Sequence, residues 1–306
     1  MTICVFGSVN VDLTAYVDTL PQQGVTCHAR RHAVSLGGKG ANQAVAAQQL
    51  YAGAVRFAAA VGEDGFGELV QDFLVNYGVS IADISVLPAA GTGLALIHVD
   101  AASQNTITVI GGANMAWSDE GPDVCLFDGA RVALFQLETP FAATRNAMRA
   151  ARAAGAYVIL DPAPVPDADI GPLLALSEIV TPNEYEAERL TGIAPVDEAS
   201  AIRAAQELLK SGCDTVVLKR GAEGLVYASQ SGSAGAIAPF KVKAVDTVAA
   251  GDCFNGGLAA ALAEGRSLED ALLFASAAGA LATTRPGAAD SAPARDQVDA
   301  LIADGC

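Results

Sequence analysis

Short apolar runs rich in β-branched residues alternate along the chain with longer stretches whose apolar positions recur every three or four residues. The runs Ile3–Phe6, Arg56–Val61, Val132–Leu137, Tyr157–Leu160, Ile179–Thr181, Thr215–Lys219 and Leu225–Ala228 read as strands. Several are apolar at consecutive positions, as strands covered on both faces are. Helical spacing predicts helices over Ala41–Leu50, Phe66–Tyr77, Ala142–Ala154, Ala199–Ser211, Gly251–Ala263, Leu268–Thr283 and Ala294–Ala303. The alternation implies an α/β fold: a doubly wound, mainly parallel sheet with helices on both faces.

Two stretches break the rhythm. Leu13–Ser35 and Thr92–Ile110 are strand-like with no intervening helix. The second reads as a hairpin, Gly93–Val99 and Thr106–Ile110, turning through Ala101–Asn105. Pairing of the two insertions would make a small sheet with one face free of helices, which suits a lid, a dimer interface or both. No repeats, low-complexity tracts or Ser/Pro-rich linkers interrupt the 306 residues, so one domain is expected, with a lid from about 13–36 and 91–111.

Composition narrows the picture. With 52% hydrophobic and 17% charged residues the chain has a globular composition. A net charge of -16 repels nucleic acid and anionic membranes, so neither is expected as a partner. The same field repels an anionic small substrate unless helix termini, a metal or placed cations supply local positive potential. Six cysteines (Cys4, Cys27, Cys125, Cys213, Cys253, Cys306) without a CxxC pair, and three isolated histidines, fit a reducing compartment better than a structural zinc site. Neither a basic leader nor an apolar run of membrane-spanning length is present, and a cytoplasmic location is expected.

The candidate chemistry gathers at strand ends and helix starts. In Asp246-Thr-Val-Ala-Ala-Gly-Asp-Cys-Phe-Asn-Gly-Gly257, small residues Ala249, Ala250 and Gly251 precede Asp252 at a helix start. Small side chains there let a phosphate approach main-chain N–H groups, and a carboxylate in the first turn can take a proton from an attacking hydroxyl. Gly37-Gly-Lys-Gly-Ala-Asn-Gln-Ala44 combines close backbone approach with donors from Lys39 and Asn42, without the spacing of a Walker A loop. Asn10 and Asp12 in Ser8-Val-Asn-Val-Asp12 share a side in extended chain and suit sugar hydroxyls, as does Glu138 in Gln136–Pro140. Asn183 and Glu186 in Thr181–Glu186 share one face of a helix entry, and Lys219–Gly224 is a glycine-bearing turn between two strands. Each of these is also ordinary capping or turn chemistry when taken singly. Their common placement is what a ligand site in a doubly wound sheet requires. A dinucleotide-binding dehydrogenase would need GxGxxG after the first strand, and that pattern is missing.

Taken together, Gly37–Ala44, Thr181–Glu186, Asp246–Gly257 and Val61-Gly-Glu-Asp-Gly-Phe-Gly67 resemble the PfkB, or ribokinase-like, carbohydrate kinases over essentially the whole chain. Ser8–Asp12, Gly38–Asn42, Gly112-Ala-Asn114, Gln136–Pro140 and Ala249–Asp252 are most similar to the members that phosphorylate the primary hydroxyl of D-ribose. The resemblance implies an α/β sandwich with a β lid that often mediates homodimers. It implies that Asn10, Asp12, Gly38, Lys39, Asn42 and Glu138 hold the sugar, and that Asp252 is the base beside an anion hole of Ala249, Ala250 and Gly251. Asn183, Glu186, Lys219, Gly221, Gly224, Gly251 and Ser276 would serve ATP, Glu186 also acting indirectly on Mg2+. A monovalent cation, K+ by preference, would sit at Asp246, Val248, Ala282, Arg285, Gly287 and Ser291, in several cases on main-chain carbonyls. Lys219 and Arg220 stand where the family more often has Thr and an apolar residue, and Ser276 where it has Asn or His. Cys253 follows the base, where a helix N-terminus can lower a thiol pKa, although packing is the simpler role. A nucleoside, fructose or a keto-deoxy sugar acid remains open as acceptor, as does a binding regulator without catalysis.

Overall fold

The computed structural model describes every residue except Ser103 and Cys306. The turn expected over Ala101–Asn105 includes Ser103, which lies outside the described residues, as does the last of the six cysteines. From the N-terminus the elements are β1 (Thr2–Phe6), β2 (Asn10–Tyr16), β3 (Arg31–Gly37), α1 (Lys39–Leu50), β4 (Ala54–Gly62), α2 (Gly65–Asn76), β5 (Ile84–Leu87), β6 (Gly93–Val99) and β7 (Asn105–Ile110). They continue with β8 (Ala130–Phe135), α3 (Phe141–Ala153), β9 (Tyr157–Leu160), α4 (Gly171–Leu174), β10 (Ile179–Val180), α5 (Glu184–Thr191) and α6 (Glu198–Leu209). The C-terminal part comprises β11 (Thr215–Lys219), β12 (Leu225–Ser229), β13 (Ala234–Ile237), α7 (Ala250–Ala263), α8 (Leu268–Ala282) and α9 (Arg295–Gly305).

Nine strands form the large sheet in the order β13-β12-β11-β10-β9-β8-β1-β4-β5. It is parallel from β5 to β11, and β12 and then β13 at the edge add in antiparallel sense. Both faces are covered, which explains the unbroken apolar runs. In β1, Ile3 and Val5 belong to the core shared with α1, α7 and α8, while Cys4 and Phe6 belong to the core shared with α3 and α6.

The two insertions do pair. Strands β3, β2, β6 and β7 make a separate four-stranded sheet. Parallel pairing of β2 with β6, beginning at Asn10 opposite Gly93, joins the two hairpins. Its first strand starts at Asn10 rather than Leu13, so Asn10 and Asp12 belong to this sheet and not to a loop after β1. The partners that extend the strand, Gly37 and Gly93, lie far away in sequence, which is why the local pattern stops short. Residues of β7 are exposed throughout, including Ile107 (53%) and Val109 (57%).

Edge strands β5 and β13 lacked a sequence signal: one is four residues long, and the other, Ala-Gly-Ala-Ile, is poor in β-branched residues. One packing detail governs the site. A Cβ on Gly256 of α7 would meet Ala46 Cβ at 2.6 Å and Ala47 N at 2.8 Å, so α7 and α1 approach more closely than any side chain at residue 256 would permit.

Candidate active site

The α1–α7 contact places Asp252, in the first turn of α7, against Asn42 and Gln43 of α1. Asp252 is only 5% exposed. One carboxylate oxygen accepts from Asn42 Nδ2 at 3.0 Å and the other from Gln43 Nε2 at 3.0 Å. Burial pushes its pKa up, only partly opposed by Lys39 and the two amides. A raised carboxylate is the stronger proton acceptor, as a general base requires. Ahead of it, Ala249 caps α7 with φ 57°, the one non-glycine residue among those described in the left-handed region. Strain of this kind, about 1–3 kcal/mol, clusters at functional sites. It turns the chain so that Ala250 and Gly251 open the helix.

A polar cluster from the small sheet adjoins the head of α1 through Glu138. Asn10 and Asp12 are two apart in β2 and share its side. Asn10 is fixed by Asn114, whose Nδ2 donates to Asn10 Oδ1 at 2.8 Å and whose Oδ1 accepts from Val9 N at 2.9 Å. Burial, reinforced by Glu138, pushes the Asp12 carboxyl up to about 7. Glu138 accepts from Ser8 Oγ at 2.5 Å and from Lys39 N at 3.1 Å, stitching the chain after β8 to the head of α1. Gly38 is the N-cap of that helix. Burial alone would lower the Lys39 pKa, but Asp252, Asp161, Glu138 and Glu186 together hold it above the ordinary range. Asn42 Oδ1 is buried without a partner among the described residues, so it is free to accept from a ligand donor.

A cleft of about 980 Å³ is lined by Lys39, Asp252, Asn183, Glu186, Lys219, Gly221, Gly224 and Ser276, with Phe240 and Val242 adding apolar surface. The chain has five lysines, and three of them (Lys39, Lys219, Lys241) line this cleft. The same cleft carries the carboxylates of Asp161, Glu184, Glu186 and Asp252, so the lysines are placed cations in a mixed lining rather than a net positive surface. Asn183 and Glu186 form a capping box on α5: Glu186 N donates to Asn183 Oδ1 at 2.8 Å and Asn183 N to Glu186 Oε2 at 2.8 Å. Burial holds the Glu186 carboxyl above its ordinary range, with Lys219 opposing. Lys219 pairs with Asp161 at 3.1 Å. Arg220, the other departure, is buried and does not line the cleft.

Beyond the head of α7, Asp246 ties two loops together. Its carboxylate accepts from Val248 N and from Gly287 N, each at 3.1 Å. Ala282 ends α8 and accepts from Arg285 N, and Ser291 Oγ donates to Ala288 O at 2.7 Å. The six expected cation residues therefore lie on joined segments offering one carboxylate, a hydroxyl and main-chain carbonyls. These are hard oxygen donors, the set that suits an alkali cation.

Sequence reasoning passed over Gln43 and Asp161. Gln43 Nε2 bridges Asp252 and Asp161, and Gln136 Nε2 donates to Gln43 Oε1 at 2.6 Å. Asp161 directly follows β9, so the strand-end rule that picked out Glu138 also points to it. The lowered thiol considered for Cys253 does not occur. Burial pushes it up to about 12, because the sulfur packs between α7 and the Ser291 segment rather than toward solvent.

Residues 1–295 match the model of the pfkB family of carbohydrate kinases. The chain is 38% identical over 301 residues to a ribokinase of Haemophilus influenzae, covering 97% of this chain and 96% of that one. It superposes on ribokinase of Thermotoga maritima with a TM-score of 0.90 at 34% identity, over 99% of each chain. With Arabidopsis thaliana ribokinase complexed with ribose and ATP the TM-score is 0.92 at 32% identity, over 98% of each. By its sequence over residues 1–295, and by a fold that carries a buried carboxylate at the head of α7, the chain belongs to the pfkB family of carbohydrate kinases.

Proposed function

We propose that this enzyme transfers the γ-phosphoryl group of ATP to the primary 5-hydroxyl of D-ribose, with Asp252 as general base. The observation that carries the reading is the head of α7. Asp252 is held there by two amides of α1 and lines, with Lys39 and Lys219, the nucleotide-sized cleft, while Glu138 joins the Asn10 and Asp12 cluster to the main chain of Lys39. The similarity to proteins named ribokinase, one of them complexed with ribose and ATP, supports the same pair of substrates.

In this reading the sugar lies against Asn10, Asp12, Gly38, Lys39, Asn42 and Glu138, and its hydroxyls satisfy the orphaned Asn42 Oδ1. The 5-hydroxyl gives its proton to Asp252 as it attacks phosphorus. Main-chain amides of Ala249, Ala250 and Gly251 hold the transferring oxygens, where preorganised donors matter most. Asn183, Gly221, Gly224 and Ser276 line the cleft and position the nucleotide. Mg2+ on the nucleotide phosphates would neutralise charge; both Glu186 oxygens are taken by Asn183, which fits a contact to it through water. A monovalent cation would be held by Asp246, Val248, Ala282, Arg285, Gly287 and Ser291 and would brace the turn before Ala249. The small sheet acts as a lid on one catalytic domain. Its exposed Ile107 and Val109 support a homodimer, which sedimentation would report as twice the chain mass. A cytoplasmic site of action fits these substrates.

The test is ADP release from ATP with ribose, 2-deoxyribose, fructose, a nucleoside and a keto-deoxy sugar acid, in K+ and in Na+, with and without chelation of Mg2+. Ribose-dependent, K+-stimulated release that Asp252→Asn depresses by about 10²–10⁴-fold is expected. No release with any acceptor, or near-normal turnover in the variant, overturns the assignment.

A further inference from the structure

We infer that Lys219 is a catalytic residue of the phosphoryl transfer, stored on Asp161 in the empty enzyme and taken over by the γ-phosphoryl group when nucleotide binds. Asp161 is then a positioning residue that links this cation to the base through Gln43. The inference rests on the kinase reading above.

Lys219 is the last residue of β11, its main chain anchored by donation to Pro182 O at 2.8 Å and bridged to Asn183. Its side chain reaches across the sheet ends, and Nζ lies 3.1 Å from Asp161 Oδ1. A Cβ placed on Gly251 would come 3.3 Å from the same nitrogen. The ammonium therefore overhangs the opening turn of α7 in the cleft that Asp252 also lines, and a side chain at position 251 would displace it by a few tenths of an ångström.

Asp161 is 3% exposed. Its second oxygen accepts from Gln43 Nε2 at 3.2 Å, and that same nitrogen donates to Asp252 Oδ1 at 3.0 Å. One amide NH2 thus serves two buried carboxylates, and Gln136 locks its orientation from the other end. The chain Lys219–Asp161–Gln43–Asp252 is continuous, with a cation paired to a single carboxylate oxygen at its cleft end. A pair that served stability alone has no need to line the cleft, yet both Asp161 and Lys219 do so. A γ-phosphoryl group offers several charged oxygens to an ammonium that holds a single carboxylate oxygen here, so transfer of the cation to the nucleotide is favourable. In the step itself the sugar oxygen forms the new O–P bond and its proton passes to Asp252. The bond from phosphorus to the β-phosphate oxygen breaks, and its electron pair leaves with ADP. Lys219 makes and breaks no covalent bond; it balances charge as it spreads over the equatorial oxygens.

The experiment compares Lys219→Met, Asp161→Asn and the double variant Lys219→Thr/Asp161→Asn with the parent enzyme. Affinities for ADP and for the β,γ-imido analogue of ATP are read by calorimetry, and kcat and KM with ribose by ADP release. Lys219→Met is expected to keep ADP affinity within about threefold, to weaken the analogue about tenfold or more, and to lower kcat about 10²–10³-fold. Asp161→Asn should keep both nucleotide affinities and the KM for ribose while kcat falls about tenfold, a split that a merely structural role would not produce. Equal weakening of ADP and analogue, or a kcat for Lys219→Met within threefold of the parent, overturns the inference. If burial of an unpaired Asp161 prevents Lys219→Met from folding, the double variant carries the same ADP-against-analogue contrast. A parent that transfers nothing to ribose but does transfer to another acceptor defeats the ribose assignment alone, because the nucleotide contrast and the kcat with that acceptor still decide Lys219.

Discussion

At the level of single residues, burial and neighbouring charge set the protonation of the polar groups in the site, raising Asp12, Glu186 and Asp252 above the ordinary carboxylate range. Asn10, Asp12, Asn42, Glu138 and Asp252 stand out as polar groups at strand ends and helix starts. Nothing local says that Asp12 is raised to about 7, because burial and the approach of Glu138 from the far end of β8 cause it. That value has a signed consequence. Below about 7 Asp12 is protonated, and above it the ionised carboxylate is the better acceptor for sugar hydroxyls. Ribose affinity, measured by calorimetry in the presence of ADP, should therefore rise as pH increases through about 7, by up to about tenfold per unit on the acid side. Asp12→Asn should flatten the profile. A parent profile already flat between pH 5.5 and 8.5 removes Asp12 from the sugar contacts.

Among the elements, long periodic helices and apolar strands announced themselves within a residue or two, because burial on both faces of a parallel sheet writes a continuous pattern into each strand. The thin places were β5, β13 and the short α4, whose patterns are too brief to carry a period. The catalytic arrangement depends on an element pair rather than on either element. Asp252 keeps its two amide partners only while α7 and α1 lie in contact at Gly256. Gly256→Ala should push the helices apart, destabilising the fold by about 1–3 kcal/mol in urea unfolding. Turnover should fall at least about tenfold with ADP affinity little changed. Unaltered turnover in a destabilised variant would show that the base tolerates the displacement.

For the molecule as a whole, the opposition between a net charge of -16 and an anionic nucleotide is met locally: three of five lysines sit at one cleft, interspersed with the carboxylates of Asp161, Glu184, Glu186 and Asp252. Their fields and the helix amides act over a few ångströms, whereas the repulsive field of the remaining surface reaches the approaching nucleotide and is screened beyond about 8–10 Å in physiological salt. Raising ionic strength from about 20 to about 200 mM with choline chloride, at constant K+, should raise kcat/KM for ATP by a factor of a few and leave that for neutral ribose unchanged. A steep fall with salt would mean that the cleft cations dominate the encounter.

Periodicity and short motifs are local properties, so the chain alone determined the α/β class, the lid insertions and the glycine, asparagine and aspartate motifs of a carbohydrate kinase. Which carboxylate meets which amide is a long-range matter. Gln43 joins Asp161 to Asp252 across separations of 118 and 209 residues, and Lys219 reaches Asp161 across 58. Only the packing of α1 against α7, and the order of strands that brings β9 and β11 to either side of β10, could bring those groups together. Hydrogen bonds and ion pairs act over about 3 Å, and no spacing along a sequence encodes a distance of that kind.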